Sequence, residues 1–496
     1  MKATTMKKVL LSAAAAALLV GCEAPQPETH YIRLSDAACT LDGSEGAALQ
    51  VRVEANPSWE AASGASWLTA EKSDGNILVL TASANDTGYE RTAVVTVTAG
   101  QAEEKVTVIQ MAEQTAHNKL RYLTAFPSIG VMSPDGRYVG GYYSVLQADD
   151  SYASCTLVVD NETGEEYEYG PFPKSLMFFS DVQAISDRGE LFIMDGKMGG
   201  CWIIGLDGTY SKIESVEGFD NSPKFCATGA GGAVRVGYAI KIMENGDRVE
   251  CPIKWNEGVP EALPKPSPSF RELEKIGEGT GVESVMARGV SADGRIVYGT
   301  SWRNDDFGMC YWDENGEAHW VGEDVRKVRE VEMAYGDGTT RRYNLVDGMT
   351  CEASYTNISS TGKYIAGTFR TEALGDDKKS VVRSYRAAFY NTETGKTTVF
   401  EELGESAGIH VTDDGIGFVG LGRLGIMSGK VVDIENGLDL GSTAEWIYDN
   451  YGIIAPEMGY VKHMSTDKRV FLAVIPVIGA GGMTFKSYFV APLVAE

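Results

Sequence analysis

A short phrase recurs seven times along this chain: an apolar residue, Ser or Thr, a polar turn, then a β-rich run. It reads Met132-Ser133-Pro134-Asp135-Gly136-Arg137-Tyr138-Val139-Gly140, then Ile185-Ser186-Asp187-Arg188-Gly189-Glu190-Leu191. It returns as Val290-Ser291-Ala292-Asp293-Gly294-Arg295-Ile296 and Ile358-Ser359-Ser360-Thr361-Gly362-Lys363-Tyr364. Looser copies start at Ala227-Thr228, Val411-Thr412 and Met464-Ser465. Asp and Gly suit a tight turn, because Asp bonds its own backbone two residues on and Gly tolerates positive φ. A repeat of this length made of hairpins indicates a β-propeller.

Each opening hairpin is followed by a second. Cys155-Thr156-Leu157-Val158-Val159 leads into Asp160-Asn161-Glu162-Thr163-Gly164, and Tyr311-Trp312 into Asp313-Glu314-Asn315-Gly316. Two hairpins make a four-stranded blade. The marker Ser/Thr residues lie 42 to 68 residues apart, and a bare blade needs roughly 40–45, so the long intervals carry insertions. The last repeat runs out before its outermost strand, which 120–126 is expected to supply, closing the ring and covering an exposed edge. Seven blades fit best, with six or eight open. The repeat resembles propellers of the WD and TolB-like type.

Lys2, Lys7 and Lys8 precede an apolar run of about 12 residues, too short for a bilayer that needs roughly 20. This is the pattern of a secretory signal over 1–21. Leu19-Val20-Gly21-Cys22 resembles the bacterial lipobox, which implies cleavage before Cys22 and acylation of it. Residues 22–30 then form a lipidated tether, and the membrane is met through that anchor alone. The expected location is the cell envelope, at the outer membrane.

Without the signal the chain holds 41 basic against 69 acidic residues. That balance excludes nucleic acid, whose binding rests on neutralising phosphates, and disfavours polyanionic glycans. Of eight cysteines, Cys155, Cys201 and Cys310 take similar places in successive repeats, too far apart to bridge. They are expected to be small core residues. No cofactor and no metal is implied.

Residues 31–112 differ in texture. Leu49-Gln50-Val51-Arg52-Val53, Ala93-Val94-Val95-Thr96-Val97 and Val106-Thr107-Val108-Ile109 alternate as strands of a small immunoglobulin-like β-sandwich. Asn56-Pro57-Ser58-Trp59, Ser66-Trp67-Leu68-Thr69, Ala84-Asn85-Asp86-Thr87, Glu90-Arg91-Thr92-Ala93 and Val108-Ile109-Gln110 stand in the order of the BACON domain, which this segment resembles. The resemblance implies a Bacteroidetes-associated module proposed to bind carbohydrate. Trp59 and Trp67 are candidates for stacking on sugar, against a role as core or spacer. A linker over 113–119 then leads to the propeller, 120–496. The whole is an all-β chain.

Candidate ligand contacts fall in two places. Two residues before each marker stand Val131, Ala184, Cys226, Gly289, Asn357, His410 and His463. Strict alternation puts these on one face, so Asn357, His410 and His463 are expected to crowd one arc of the channel. The insertions are the second place. The stretch 331–346 reads as an extra hairpin bearing Tyr335, Arg341, Arg342 and Tyr343. Ser442-Thr443-Ala444-Glu445 is a capping box that opens a helix bearing Trp446, Tyr448 and Tyr451. These aromatics are either a stacking patch or an anchor for the helix.

Catalytic motifs such as GxSxG and HExxH do not occur, and the repeat lacks the Thr-Trp ending of sialidase aspartate boxes. The leading reading is a non-catalytic envelope lipoprotein that captures glycan. The second is a scaffold for an envelope protein partner, and the third a propeller hydrolase or lyase with a funnel site.

Overall fold

A computed structural model describes residues 30–73, 76–85, 91–111, 120–122, 130–146, 152–172, 180–195, 201–213, 216–219, 223–269, 283–303, 306–351, 357–422, 428–451, 455, 459–479 and 482–490. The signal, the lipidation candidate Cys22, the tether up to residue 29 and the linker 113–119 lie outside them. Two compact units divide the described residues, one running from 30 to 111 and the other from 120 onward.

The first unit is a sandwich of two four-stranded sheets. Tyr31–Leu34, Ala47–Asn56, Ile77–Ala82 and Leu68–Ser73 form one. Ala38–Leu41, Ala102–Gln110, Arg91–Ala99 and Glu60–Ser63 form the other, with Ala38–Leu41 running parallel to its neighbour. Alternate residues Val51, Val53, Val95, Val97, Val106 and Val108 point inward and are fully buried. This is the period-2 pattern that the sequence carries.

The second unit holds seven sheets in succession, and these are the seven blades: 131–169, 180–212, 224–262, 284–320, 327–399, 406–442 and 460–490. Each is an antiparallel meander, and the first strands touch in succession through blades 1 to 4 and again between blades 6 and 7, which places those strands at the axis. Blade 5 gains a fifth strand from the inserted hairpin Lys327–Ala334 and Thr340–Thr350. Leu120–Tyr122 pairs antiparallel with Gly482–Val490, so residues from the start of the propeller complete its last blade. Val470 and Leu472 of blade 7 pack with Met132, Val139 and Leu157 of blade 1, and Thr466 N–H donates to Pro134 O at 3.0 Å. The ring is closed by both backbone pairing and apolar contact.

The repeated phrase has two structural duties. Its hydroxyl is buried and accepts the N–H five residues on at 3.0 Å: Ser133 from Tyr138, Ser291 from Ile296, Ser359 from Tyr364, Ser465 from Val470. Buried polar groups need such partners, which explains why the position holds Ser or Thr. The turn also stitches blades together. Asp135 N–H donates to Asp187 Oδ1 at 3.0 Å, Ala230 N–H to Ala292 O at 2.7 Å, and Thr361 N–H to Asp413 Oδ1 at 3.0 Å.

Asp187 links three blades through Asp135 and Gly231, and burial, with Asp135 close by, pushes its carboxyl up to about 6. A carboxyl raised above its unfolded value is protonated first in the folded state, so its charge opposes folding above about pH 6 and the penalty fades as pH falls towards 4. The difference in Tm between Asp187→Asn and wild type is therefore expected to shift in the variant's favour between pH 4 and pH 7. Thermal melts at both ends test this, and a constant difference refutes it.

Cys155, Cys201 and Cys310 are buried free thiols in the third strands of blades 1, 2 and 4. Burial raises the Cys201 thiol to about 11 and keeps it inert.

Candidate ligand-binding site

The first strand of the repeat does not alternate strictly. In blades 2, 3, 4, 6 and 7 its register slips by one residue, at Gln183, Cys226, Arg288, Ile409 and Lys462. Such a bulge leaves one residue without a partner and re-aims its side chain. The second strand permits it. A Cβ at Gly237 would overlap Lys224 O and come within 2.9 Å of Phe225 Cα, and one at Gly299 would overlap Met286 O. Glycine is needed there because the bulged backbone lies across the second strand.

Register also corrects the third repeat. Gly237 faces Phe225 as Gly299 faces Ala287, which aligns Cys226 with Arg288 and Gly229 with Ser291. The marker of blade 3 is thus Gly229, not Thr228. A search for Ser or Thr could not find it, since a glycine holds the place. With this change every bulged residue stands three positions before its marker. The expectation that only the residues two before the marker line the axis is corrected by that extra residue.

In blade 4, Arg288 alone of Ser284–Val290 escapes burial, and in blade 2 Gln183 does so within 182–185. In blade 7, Lys462 and His463 both keep partial exposure. Ile409 of blade 6 is fully buried. A first strand lies between neighbouring blades, so the solvent left to it is that of the central channel. The channel thus carries Gln183, Cys226, Arg288 and Lys462 on an equivalent backbone position. Lys462 Nζ donates to Gly130 O at 2.9 Å across the ring closure.

Asn357, His410 and His463 do meet, from blades 5, 6 and 7. Asn357 Oδ1 accepts Ile358 N–H at 2.8 Å, so its Nδ2 donates to His463 Nδ1, also at 2.8 Å. His463 is then the neutral tautomer with its proton on Nε2. The His410 ring lies 5.5 Å from that of His463 and 6.0 Å from that of Phe418, and its buried Nδ1 has no hydrogen-bond partner. Burial and the His463 ring hold His410 well below its usual range. Burial and then the Lys462 ammonium lower His463 to about 4.

The insertions place the other candidates. Trp446 lies on helix α1, Thr443–Tyr451, whose capping box forms as Ser442 N–H to Glu445 Oε2 at 2.8 Å and Glu445 N–H to Ser442 Oγ at 3.2 Å. Trp446 packs edge-on to Phe418 at 5.2 Å, and Tyr451 packs on Phe471 while donating its hydroxyl to Lys468 O at 2.7 Å. Both anchor the helix to blades 6 and 7, and only Tyr448 of the three is exposed. Tyr335 is covered by Arg341, 4.5 Å above its ring, and Tyr343 is half-buried. The inserted hairpin is held through Ala334 N–H to Lys378 O at 2.8 Å and through buried Glu372, which accepts from Val346 N–H and Arg383. Asp313, Glu317 and His319 bring ligand atoms within 4.8 Å of one another. Asp313 and His319 are already engaged in their own turn, with Asp313 accepting from Asn315 N–H, Glu317 N–H and His319.

In the sandwich, the landmark residues hold one another. Trp59 is 2% exposed, and Lys72 lies over its ring at 4.6 Å. Arg91 covers Trp67 at 4.5 Å and donates to Ser83 O, Ala84 O and Gln110 Oε1, each at 2.9 Å. Buried Asn85 donates to Met111 O at 2.9 Å. Neither indole offers an open face for a sugar ring.

Residues 57–111 match the BACON family, described as a putative binding domain, N-terminal. No curated protein matches the sequence. Three similar solved structures set the scale of likeness. A Bacteroides ovatus GH5 xyloglucanase in complex with a XXXG heptasaccharide is 19% identical over 25% of this chain and 30% of its own, at a TM-score of 0.17. TolB from Acinetobacter baumannii is 11% identical over 77% and 78%, at 0.29. An auxiliary nutrient binding protein from Bacteroides thetaiotaomicron is 10% identical over 83% and 97%, at 0.26. The chain spans less than a third of the xyloglucanase. Family match and sheet topology together identify a BACON domain followed by a seven-bladed β-propeller.

Proposed function

We propose that this is a non-catalytic binding protein of the cell envelope, anchored by lipid at Cys22, in which the BACON domain is a spacer and the propeller captures glycan. One observation carries the reading: the propeller repeats a bulge in five blades and puts a different side chain on it each time. A constant backbone with varied side chains on a rigid ring is how a scaffold builds recognition. The covered indoles of the sandwich favour a spacer.

The test is an array of neutral and acidic glycans probed with the full-length protein in mild detergent. Binding is expected for wild type and Tyr448→Ala, and is expected to fail in Arg288→Gln. Silence across the array overturns the glycan reading. A protein partner is the second reading, favoured by exposed Leu438, Leu440 and Tyr448 at the outer edge of blade 6. Cross-linking in the intact envelope that Leu438→Lys abolishes would move the function there.

A further inference from the structure

The arc of the channel formed by blades 3 and 4 has a charge at odds with the rest of the chain. Acidic residues outnumber basic ones by 69 to 44, and the arginines of the blades are commonly paired with them. Arg137 pairs with Asp160, Arg235 with Glu190, Arg295 with Asp293, Arg329 with Asp347 and Arg386 with Glu405. Arg288 is different. Its Nε donates to Thr300 Oγ1 at 3.3 Å and its side chain lies beside the Cys226 thiol. Among the described residues no carboxylate pairs with it.

Lys224, from the first strand of blade 3, is a second cation beside Cys226. Tyr238 stands close to both Cys226 and Arg288. Glu250, an acidic group that acts on Tyr238, is engaged by the Ser284 hydroxyl. A guanidinium has five N–H donors in a fork that matches a carboxylate, and this one keeps contact with solvent while its strand neighbours are buried. A half-buried cation without an anion is costly, and a bound anion removes that cost.

We infer that this arc is the binding site for a carboxylate group, with Arg288 as its forked partner and Lys224 and Tyr238 flanking it. The proposal deepens the glycan reading, on which it rests for the rest of the ligand: the sugar captured is a uronic acid. The overall negative charge keeps polyanions away, so a single carboxylate on a short ligand is what the arc suits.

Calorimetry on the full-length protein in mild detergent tests this with galacturonate and glucuronate, against galactose and glucose, and with succinate as a carboxylate that is not a sugar. Uronates are expected to bind, neutral sugars to bind about tenfold more weakly or worse, and binding to weaken as salt rises. Arg288→Gln is expected to lose about tenfold or more for uronates at unchanged Tm, and Arg288→Lys to lose less. Galactose binding as tightly as galacturonate overturns the carboxylate site and leaves the glycan reading standing. Succinate binding as tightly as galacturonate keeps the anion site and overturns the glycan. Silence from every probe overturns both, and full binding by a folded Arg288→Gln overturns the role of that residue.

Discussion

Gly237→Ala is expected to cost the propeller about 3 kcal/mol or more, at the upper end for overpacking a closed interior. The new methyl would meet the carbonyl carbon of Lys224 at 2.8 Å and Phe225 Cα at 2.9 Å. These are backbone atoms, so no side chain can swing aside. Relief requires flattening the bulge at Cys226, and that shifts a strand held between two neighbouring blades. Gly299→Ala repeats the experiment one blade on, where Met286 O is the obstacle. Gly336→Ala is the control, because nothing lies within 4 Å of its added Cβ. Chemical denaturation of the three variants checks the prediction. Equal midpoints for Gly237→Ala and Gly336→Ala would show that the bulge is not needed for the fold.

The two channel imidazoles give the second large effect. His463 is lowered to about 4, so it stays neutral in the folded protein while its unfolded counterpart takes a proton near pH 6.5. Its contribution is complete above about pH 6.5 and is lost as pH falls towards 4. By linkage the loss amounts to about 3 kcal/mol, and His410, lowered for the same reason, adds in the same direction. His463→Gln retains an acceptor for Asn357 Nδ2 and cannot take up a proton. Urea unfolding at pH 7.5 and 4.5 should show wild type losing about 3 kcal/mol more than this variant. Equal losses would mean that His463 titrates normally in the fold.

The sequence made the blades legible because their signals are local. Each marker hydroxyl binds an N–H four or five residues away, so a turn phrase written in nine residues announces itself. The capping box at Ser442 is equally local and equally readable. The BACON landmarks could be recognised in order, yet their purpose could not. That Arg91 covers Trp67 depends on strands brought together by the sandwich, and no spacing along the chain reveals it.

The channel was the least legible part. Alternation predicts faces only while a strand stays in register, and a single bulge moves the count by one. Blade 3 compounds this with a glycine in the marker place, which hid Gly229 from any pattern of Ser and Thr. Arg288 carried no signal at all in the sequence. It is an arginine between Ala287 and Gly289, and what sets it apart is that no carboxylate among the described residues pairs with it.

By itself the sequence determined the all-β class, the presence of a propeller and the order of the two domains, because strand period and turn chemistry act over a few residues; the sheets themselves set the number of blades at seven. Only the tertiary structure decided which side chains share the channel. The spacing had already grouped Asn357, His410 and His463, which do meet, but nothing in it brought Cys226 beside Arg288 of the next blade. Such contacts depend on how blades pack around an axis, where a bulge set by a glycine on another strand determines what faces the ligand.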